Sequence, residues 1–381
     1  MSYNFFIKSN IVFGRDSADK IPELLASHGL HKVMIVYDGG VKAAGIAEKI
    51  IAQVEKAGVA YVIFDGVIPN PTNEVVEEAS KIAKDEKVEG FVAVGGGSSI
   101  DLAKAVNVLM TNPGSISDYA GIGMVKNDLL PLIAIPTTAG TSSEITNVSA
   151  LIDTKKVVKY VVIDNRLTAS DVVCDPEFTR TMPVSVTAAT GMDAITHAVE
   201  SYISNCATPL TEYNSLKGLS ILYENLPKVV ADGNNMEARE QMMLGCIITG
   251  FGFSNANLGL NHAIAHTLSA HFGLAHGMAN ACVLPYVMAF NAESCPEKMV
   301  DMARTIGFEP TGDPEKDPYL LSDALLKMIR DLKIRTLSEQ KIRKEDFDML
   351  AGEVLKEAPL MFNPRQGVTK EDVIGILEKA Y

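Results

Sequence analysis

Residues 90–110 read GFVAVGGGSSIDLAKAVNVLM, and the fold follows from how this stretch divides. GFVAV is a short apolar run of the kind buried on both faces of a parallel sheet. The glycines carry the run GFVAVGGG through residues 90–97 to a turn, and DLAKAVNVLM (101–110) then has helical spacing. The same alternation extends outward. Upstream come a helix over 17–27, a strand KVMIVYD (32–38), a helix over 42–58, a strand AYVIFDG (60–66) and a helix over 72–87. Downstream lies a strand in LLPLIAIPT (129–137). This predicts an N-terminal α/β dinucleotide-binding domain, a parallel sheet with helices on both faces. In such sheets ligands sit beyond the carboxyl ends of the strands, so Asp38, Asn70, the glycines at 95–97 and Thr137 should share one rim.

On that rim GGGSSIDLAKA (95–105) is the strongest phosphate signal: glycine lets the backbone approach an anion, and the helix start offers unbonded N–H groups. Ser98 with Asp101 also reads as a helix capping box. A second loop, PTTAGTSSE (136–144), is rich in small hydroxyl residues, and two such loops suit a dinucleotide. Asp38 closes the first strand of the series, where an acid accepts ribose hydroxyls and repels a 2′-phosphate, favouring NAD(H) over NADP(H). As part of Asp-Gly-Gly it reads equally well as a turn residue. The opening residues YNFFIKSNIVFG (3–14) hold two β-prone runs and predict a hairpin. Its exposed edge is expected to pair with a second copy, giving a homodimer or a higher oligomer.

After VSALIDTKKVVKYVVIDN (148–165) the pattern turns helical and stays so to Tyr381. The domain boundary is placed near Met182-Pro183, giving 1–182 as the nucleotide-binding domain and 183–381 as an all-α metal-binding and catalytic domain. Four of the seven histidines fall in GLNHAIAHTLSAHFGLAHGMANA (259–281). His262 and His266 stand four apart and so share a helix face. Asp193 and His197 in TGMDAITHAVE (190–200) do the same. Both helices are otherwise apolar, and burying this many polar groups unpartnered costs on the order of a few kcal/mol, a cost that a divalent cation removes. Spacing alone names Asp193, His197, His262 and His266 as ligands, and leaves His271 as a core residue.

Composition narrows the class. The 381-residue chain is 47% hydrophobic and 21% charged, with a net charge of −13, which disfavours a phosphate-backbone partner. Nucleic acid is therefore not expected. No run of eighteen apolar residues and no leader pattern occurs, so a cytoplasmic protein without membrane association is expected. The five cysteines are scattered and contain no C-x-x-C, so neither a disulfide framework nor a thiolate metal site is indicated.

Taken in order, FG…P (13–22), PNPT (69–72), GGGSSIDLAKA, PTTAGTSSE, DP (175–176), TGMDAITHAVESY (190–202), the histidine stretch and NPR (363–365) resemble the iron-containing (group III) alcohol dehydrogenase family, over essentially the whole chain. The family includes lactaldehyde reductases, 1,3-propanediol dehydrogenases and butanol dehydrogenases. The resemblance implies a metal, usually Fe2+ and sometimes Zn2+, held by Asp193, His197, His262 and His276, so that His276 takes the place spacing gave to His266. It implies NAD(H) contacts from Asp38, Asn70, Gly96, Gly97, Ser98, Asp101, Thr137, Thr138, Ser143 and Lys159, and a substrate pocket involving Phe253 and Phe362. Two departures from the family pattern, Asn261 before His262 and Phe362 before NPR, are expected to narrow or polarise that pocket. The implied activity interconverts a small primary alcohol or diol with its aldehyde; His266, which shares a helix face with His262, is expected to relay the proton. Rival readings are a glycerol dehydrogenase or maleylacetate reductase of the same superfamily, or a metal-dependent lyase resembling dehydroquinate synthase.

Overall fold

The computed structural model describes residues 2–381. They form two compact units, Ile7–Met182 and Pro183–Tyr381, the latter including residues 2–6.

The first unit runs β1 (Asn10–Phe13), α1 (Ile21–Ser27), β2 (Lys32–Asp38), α2 (Gly39–Ala43), α3 (Ile46–Lys56), β3 (Ala60–Val67), α4 (Asn73–Asp85), β4 (Gly90–Gly95), α5 (Gly97–Thr111), β5 (Gly121–Ile122), β6 (Leu132–Pro136), β7 (Val148–Asp153), β8 (Val158–Ile163) and β9 (Asp171–Cys174). Six strands make one sheet in the order β1-β9-β6-β4-β2-β3, parallel throughout. Val33, Ile35 and Tyr37 of β2, Val92 and Val94 of β4, and Ile133 and Ile135 of β6 enter one core with Ile21 and Leu25 of α1 and Ile50 and Val54 of α3. Their neighbours Met34, Val36, Phe91, Ala93 and Ala134 point to the other face and are equally buried. Burial on both faces is why these strands read as continuous apolar runs. A small second sheet pairs β7 and β8 antiparallel, with β5 at its edge.

Three local expectations fail here. The helix expected over 42–58 breaks at Gly45, whose φ of 70° lies in the left-handed region and separates α2 from α3. The capping box does not form: α5 begins at Gly97 with no side-chain cap, and the Asp101 carboxylate is drawn to tertiary partners instead. No hairpin exists at 3–14. Only Asn10–Phe13 is strand, and it pairs parallel with β9. Before it, the Phe6 amide donates to Asn255 Oδ1 at 2.7 Å and the Phe6 carbonyl accepts from Asn255 Nδ2 at 3.1 Å, so a side-chain amide takes the place of a partner strand. The dimer contact expected through that hairpin loses its ground.

The second unit is helical: α6 (Val184–Ile203), α7 (Pro209–Ala231), α8 (Met236–Ala256), α9 (Leu260–Phe272), α10 (His276–Asn291), α11 (Pro296–Thr305), α12 (Leu320–Asp331), α13 (Phe347–Val354) and α14 (Lys370–Lys379). From Thr187 to Ile203 almost every residue of α6 is buried, which makes it the axis of the unit. α8 and α9 meet at a bend of 99°. Asn257, with φ 62°, and Gly259 make that corner. Among the described residues no single helix is long and apolar enough to cross a membrane.

Candidate active site

Each unit carries one cluster of site residues. In the first, the parallel register brings Asp38, Gly95 and Pro136 to the carboxyl ends of β2, β4 and β6. The chain runs from β2 outward to β3 and returns to β4 on the other side of β2. The order of strands therefore reverses between β2 and β4, the place where open α/β sheets bind ligands. Gly95 has φ +148°, and a Cβ there would lie 2.3 Å from Ser99 Oγ. A Cβ on Gly97 would lie 2.9 Å from Thr141 Cγ2 and one on Gly96 3.1 Å from Thr138 Cγ2, so the two loops close on each other where Gly96 and Gly97 lack side chains. The first amides of α5 have no intrahelical acceptor and face this rim.

Around them Asn70, with φ 51°, receives a hydrogen bond from Lys159 Nζ on its Oδ1 at 3.2 Å and donates its own amide to Ser98 Oγ at 3.2 Å. Asp38 Oδ1 accepts from the Val41 amide at 2.9 Å and caps α2. Asp101 is turned inward: Oδ1 accepts from the Ser143 hydroxyl at 2.5 Å and Oδ2 from the Ala150 amide at 3.1 Å. Lys104 is fully buried, its ammonium donating to the carbonyls of Ser143, Thr146 and Val148 at 2.6–2.8 Å. Burial pulls Lys104 down to about 8 and pushes nearby Glu144 up to about 7. Asp101 and Lys104 thus pin the 136–144 loop from behind, a task that spacing along the sequence does not announce.

In the second unit Asp193, His197, His262 and His276 come together, each offering one ligand atom, all within 4.8 Å of one another. His276 Nε2 stands 3.7 Å and His262 Nε2 4.0 Å from Asp193 Oδ1. Metal–ligand bonds of about 2.1 Å in tetrahedral geometry put ligand atoms roughly 3.4 Å apart, so the pairs at 3.7 and 4.0 Å need to close by only a few tenths of an ångström to take a divalent cation. Three imidazoles and one carboxylate suit Fe2+ or Zn2+. Phe253 stacks on the His197 ring at 4.2 Å between centroids, which sets one wall of the cluster.

Helix geometry explains the placement. Asp193 and His197 share one face of α6, and Gly273 (φ 66°) ends α9 so that α10 can begin with His276. A Cβ on Gly277 would lie 2.5 Å from the Ala189 carbonyl oxygen, so only glycine lets α10 start this close to α6. His266 is set aside from the ligand group: its Nδ1 lies 3.2 Å from Glu357 Oε2, and its ring is 5.6 Å from that of His276. His271 is exposed, not a core residue, because it falls in the last turn of α9, where a basic side chain faces the negative end of the helix dipole.

Two residues of this cluster escape a search for ligand pairs. Glu200, buried on the Asp193/His197 face of α6, accepts from His262 Nδ1 at 2.5 Å and from the Asn261 amide at 2.7 Å. It holds the His262 ring so that Nε2 points at Asp193, the usual support for a metal-binding imidazole. Burial pushes its carboxyl up to about 7, against backbone amides that pull it down. Asn280 is the other, its Nδ2 lying 2.7 Å from Asp193 Oδ1. The signals were there, at i+3 from His197 and i+4 from His276, but Glu and Asn on helices ordinarily read as solvent-facing.

Each unit matches a family model over nearly all of its length. Residues 8–176 match the model of iron-containing alcohol dehydrogenase, and residues 187–381 that of the Fe-containing alcohol dehydrogenase family, C-terminal. The chain belongs to the iron-containing alcohol dehydrogenase family. It is 37% identical to the 1,3-propanediol dehydrogenase of Citrobacter freundii over 97% of this chain and 98% of that one. It is 34% identical to the NAD-dependent methanol dehydrogenase of Bacillus methanolicus, over 99% of each. Among solved structures, a 1,3-propanediol oxidoreductase covers 100% of both chains at a TM-score of 0.97 and 34% identity. As a member of this family the protein is an oxidoreductase, an iron-containing alcohol dehydrogenase with an α/β N-terminal half and a helical C-terminal half.

Proposed function

We propose that this alcohol dehydrogenase uses NAD(H) and interconverts a small primary alcohol or diol with its aldehyde. The observation that carries the reading is the buried group Asp193, His197, His262 and His276 in a chain of this family. These four would hold the ion, which supplies Lewis acidity toward the alcohol oxygen. Glu200 fixes the His262 tautomer, and Phe253 keeps the His197 ring in place. On the rim of the first unit, Gly96, Gly97, Ser98, Thr137 and Thr138 would receive the pyrophosphate, and Asn70, Ser143 and Lys159 would complete the nucleotide contacts, with Asp101 holding the Ser143 loop. NADH accumulation from a panel of short alcohols by metal-loaded protein tests the reading and separates it from a lyase, which makes no net NADH. Consumption of those alcohols without NADH would overturn it.

Asp38 sets the coenzyme. Asn at this position keeps the oxygen that caps α2 and removes the charge, so Asp38→Asn isolates the electrostatic contribution. Repulsion of about 1–2 kcal/mol at a water-screened rim corresponds to a fall of about tenfold in the NAD-over-NADP ratio of kcat/KM. An unchanged ratio would remove Asp38 from coenzyme choice.

His266 moves the proton. His262 and Asp193 keep only 2% and 1% of their side-chain surface, whereas His266 and Glu357 keep 14% and 22% and His276 22%, so the His266–Glu357 pair lies on the side where the cage opens to water. An imidazole can take and give a proton near neutral pH. His266→Gln should retain the metal at full stoichiometry, lower kcat by about tenfold to a hundredfold and alter the pH profile of alcohol oxidation. Metal loss in this variant would make His266 a ligand; an unchanged profile would make it a packing residue.

A further inference from the structure

Two buried amides stand in series behind the metal ligands. Asn280 and Asn261 are both 0% exposed. Asn280 Nδ2 donates to Asp193 Oδ1 at 2.7 Å, and Asn280 Oδ1 accepts from Asn261 Nδ2 at 2.9 Å. Chemistry fixes the direction of this series. An ionised carboxylate only accepts, so the Asn280 atom facing Asp193 is the NH2 group and the other is the oxygen. Asn261 must then present its own NH2, which also reaches the Asn280 backbone carbonyl at 3.3 Å. Turning Asn261 over would set its oxygen against those two oxygens.

The arrangement leaves one atom unsatisfied. Asn261 Oδ1 is buried and finds no hydrogen-bond partner among the described residues. An apolar side chain of the same size would fill the space without that desolvation cost, so filling space does not account for an asparagine here. Nor does Asn261 reach an open surface: its side chain is fully buried and its amide donates to Asn280.

We propose that Asn261 is a positioning residue that orients the Asn280 amide toward Asp193, and so sets how strongly this carboxylate donates to the metal and which divalent ion the site retains. The inference rests on the metal reading above. An N–H directed at one carboxylate oxygen fixes its rotamer and draws charge from it, and the same NH2 lies 3.2 Å from His262 Nε2 and 3.3 Å from His276 Nε2, so its orientation bears on three of the four ligands. Supporting groups of this kind change metal affinity by about ten- to a hundredfold.

Two substitutions separate this role from packing. Asn261→Asp keeps the shape and offers only acceptors, so the Asn280 amide must turn to donate to the new carboxylate and present its oxygen to Asp193. Asn261→Leu removes the donor and adds no charge. Fe2+, Zn2+ and Co2+ are titrated into the full-length protein against a chromophoric chelator, and the visible bands of bound Co2+ are recorded. The expected result is about ten- to a hundredfold weaker binding in Asn261→Asp, a smaller weakening in Asn261→Leu, an altered Zn2+ to Fe2+ affinity ratio and shifted Co2+ bands in both. A folded Asn261→Leu protein with wild-type affinities and a wild-type Co2+ spectrum overturns the proposal, whether or not the Asp variant folds. Wild-type protein that binds no divalent ion overturns the metal reading itself, and is distinguishable because it needs no variant.

Discussion

His262→Ala is expected to abolish alcohol oxidation and to leave the purified protein without its divalent ion, whereas wild type stripped by a chelator should regain activity on addition of Fe2+ or Zn2+. The ring of His262 is held at both ends: Nδ1 donates to Glu200 at 2.5 Å and Nε2 faces Asp193 at 4.0 Å. Truncation removes a ligand and also leaves the Glu200 carboxylate buried without its imidazole, so added metal does not restore the variant. Loss of the ion's charge stabilisation, several kcal/mol of barrier, predicts a fall of about a thousandfold or more in kcat/KM. Metal analysis beside steady-state rates checks both halves. A His262→Ala protein with full metal content and near-normal turnover would remove His262 from the site.

Gly277→Ala is expected to cost roughly a hundredfold in rate, although glycine has no side chain with which to bind metal or substrate. Its added Cβ would lie 2.5 Å from the Ala189 carbonyl oxygen and 3.3 Å from Asp193 Cβ. Backbone cannot yield as a side chain can, so the first turn of α10 must move off α6 and carry His276 away from Asp193. Misplacement by about 1 Å costs roughly a hundredfold in rate, and overpacking of this kind costs about 1–3 kcal/mol in stability. Thermal unfolding and metal titration on the same preparation check it. Wild-type metal affinity and rate in Gly277→Ala would show that close approach of the two helices is not what assembles the site.

Gly277 also marks where reading the sequence stops. The strands at 32–38, 90–95 and 132–136 were legible because burial on both faces leaves an unbroken apolar run, which needs no knowledge of neighbours. Asp193 with His197 was legible because four residues of helix place two side chains on one face. The same rule chose His266 over His276, since the distance that matters for His276 is set by a turn at Gly273 and a contact with Ala189, neither of which is local. Glu200 and Asn280 carry no decisive sequence signal for the same reason: a polar residue on a helix looks solvated until the helix that covers it is known. The hairpin at 3–14 failed in the opposite direction. Its β-prone runs were real, but Phe6 found the Asn255 amide and Asn10–Phe13 found β9, and local propensity does not choose between partners. The iron-containing alcohol dehydrogenase resemblance supplied His276 where geometry along the chain could not.

In the proposed mechanism, hydride transfer to NAD+ depends on one divalent ion held by Asp193, His197, His262 and His276. The most direct test of this dependence is an anaerobic titration of Fe2+ into metal-free protein, with NAD+ and a short primary alcohol or diol in excess, following NADH by its near-ultraviolet absorbance. The predicted result is a rate that starts near zero, rises in proportion to bound ion and levels off at one ion per chain. Full NADH formation by the metal-free protein, unchanged as the ion binds, would contradict it.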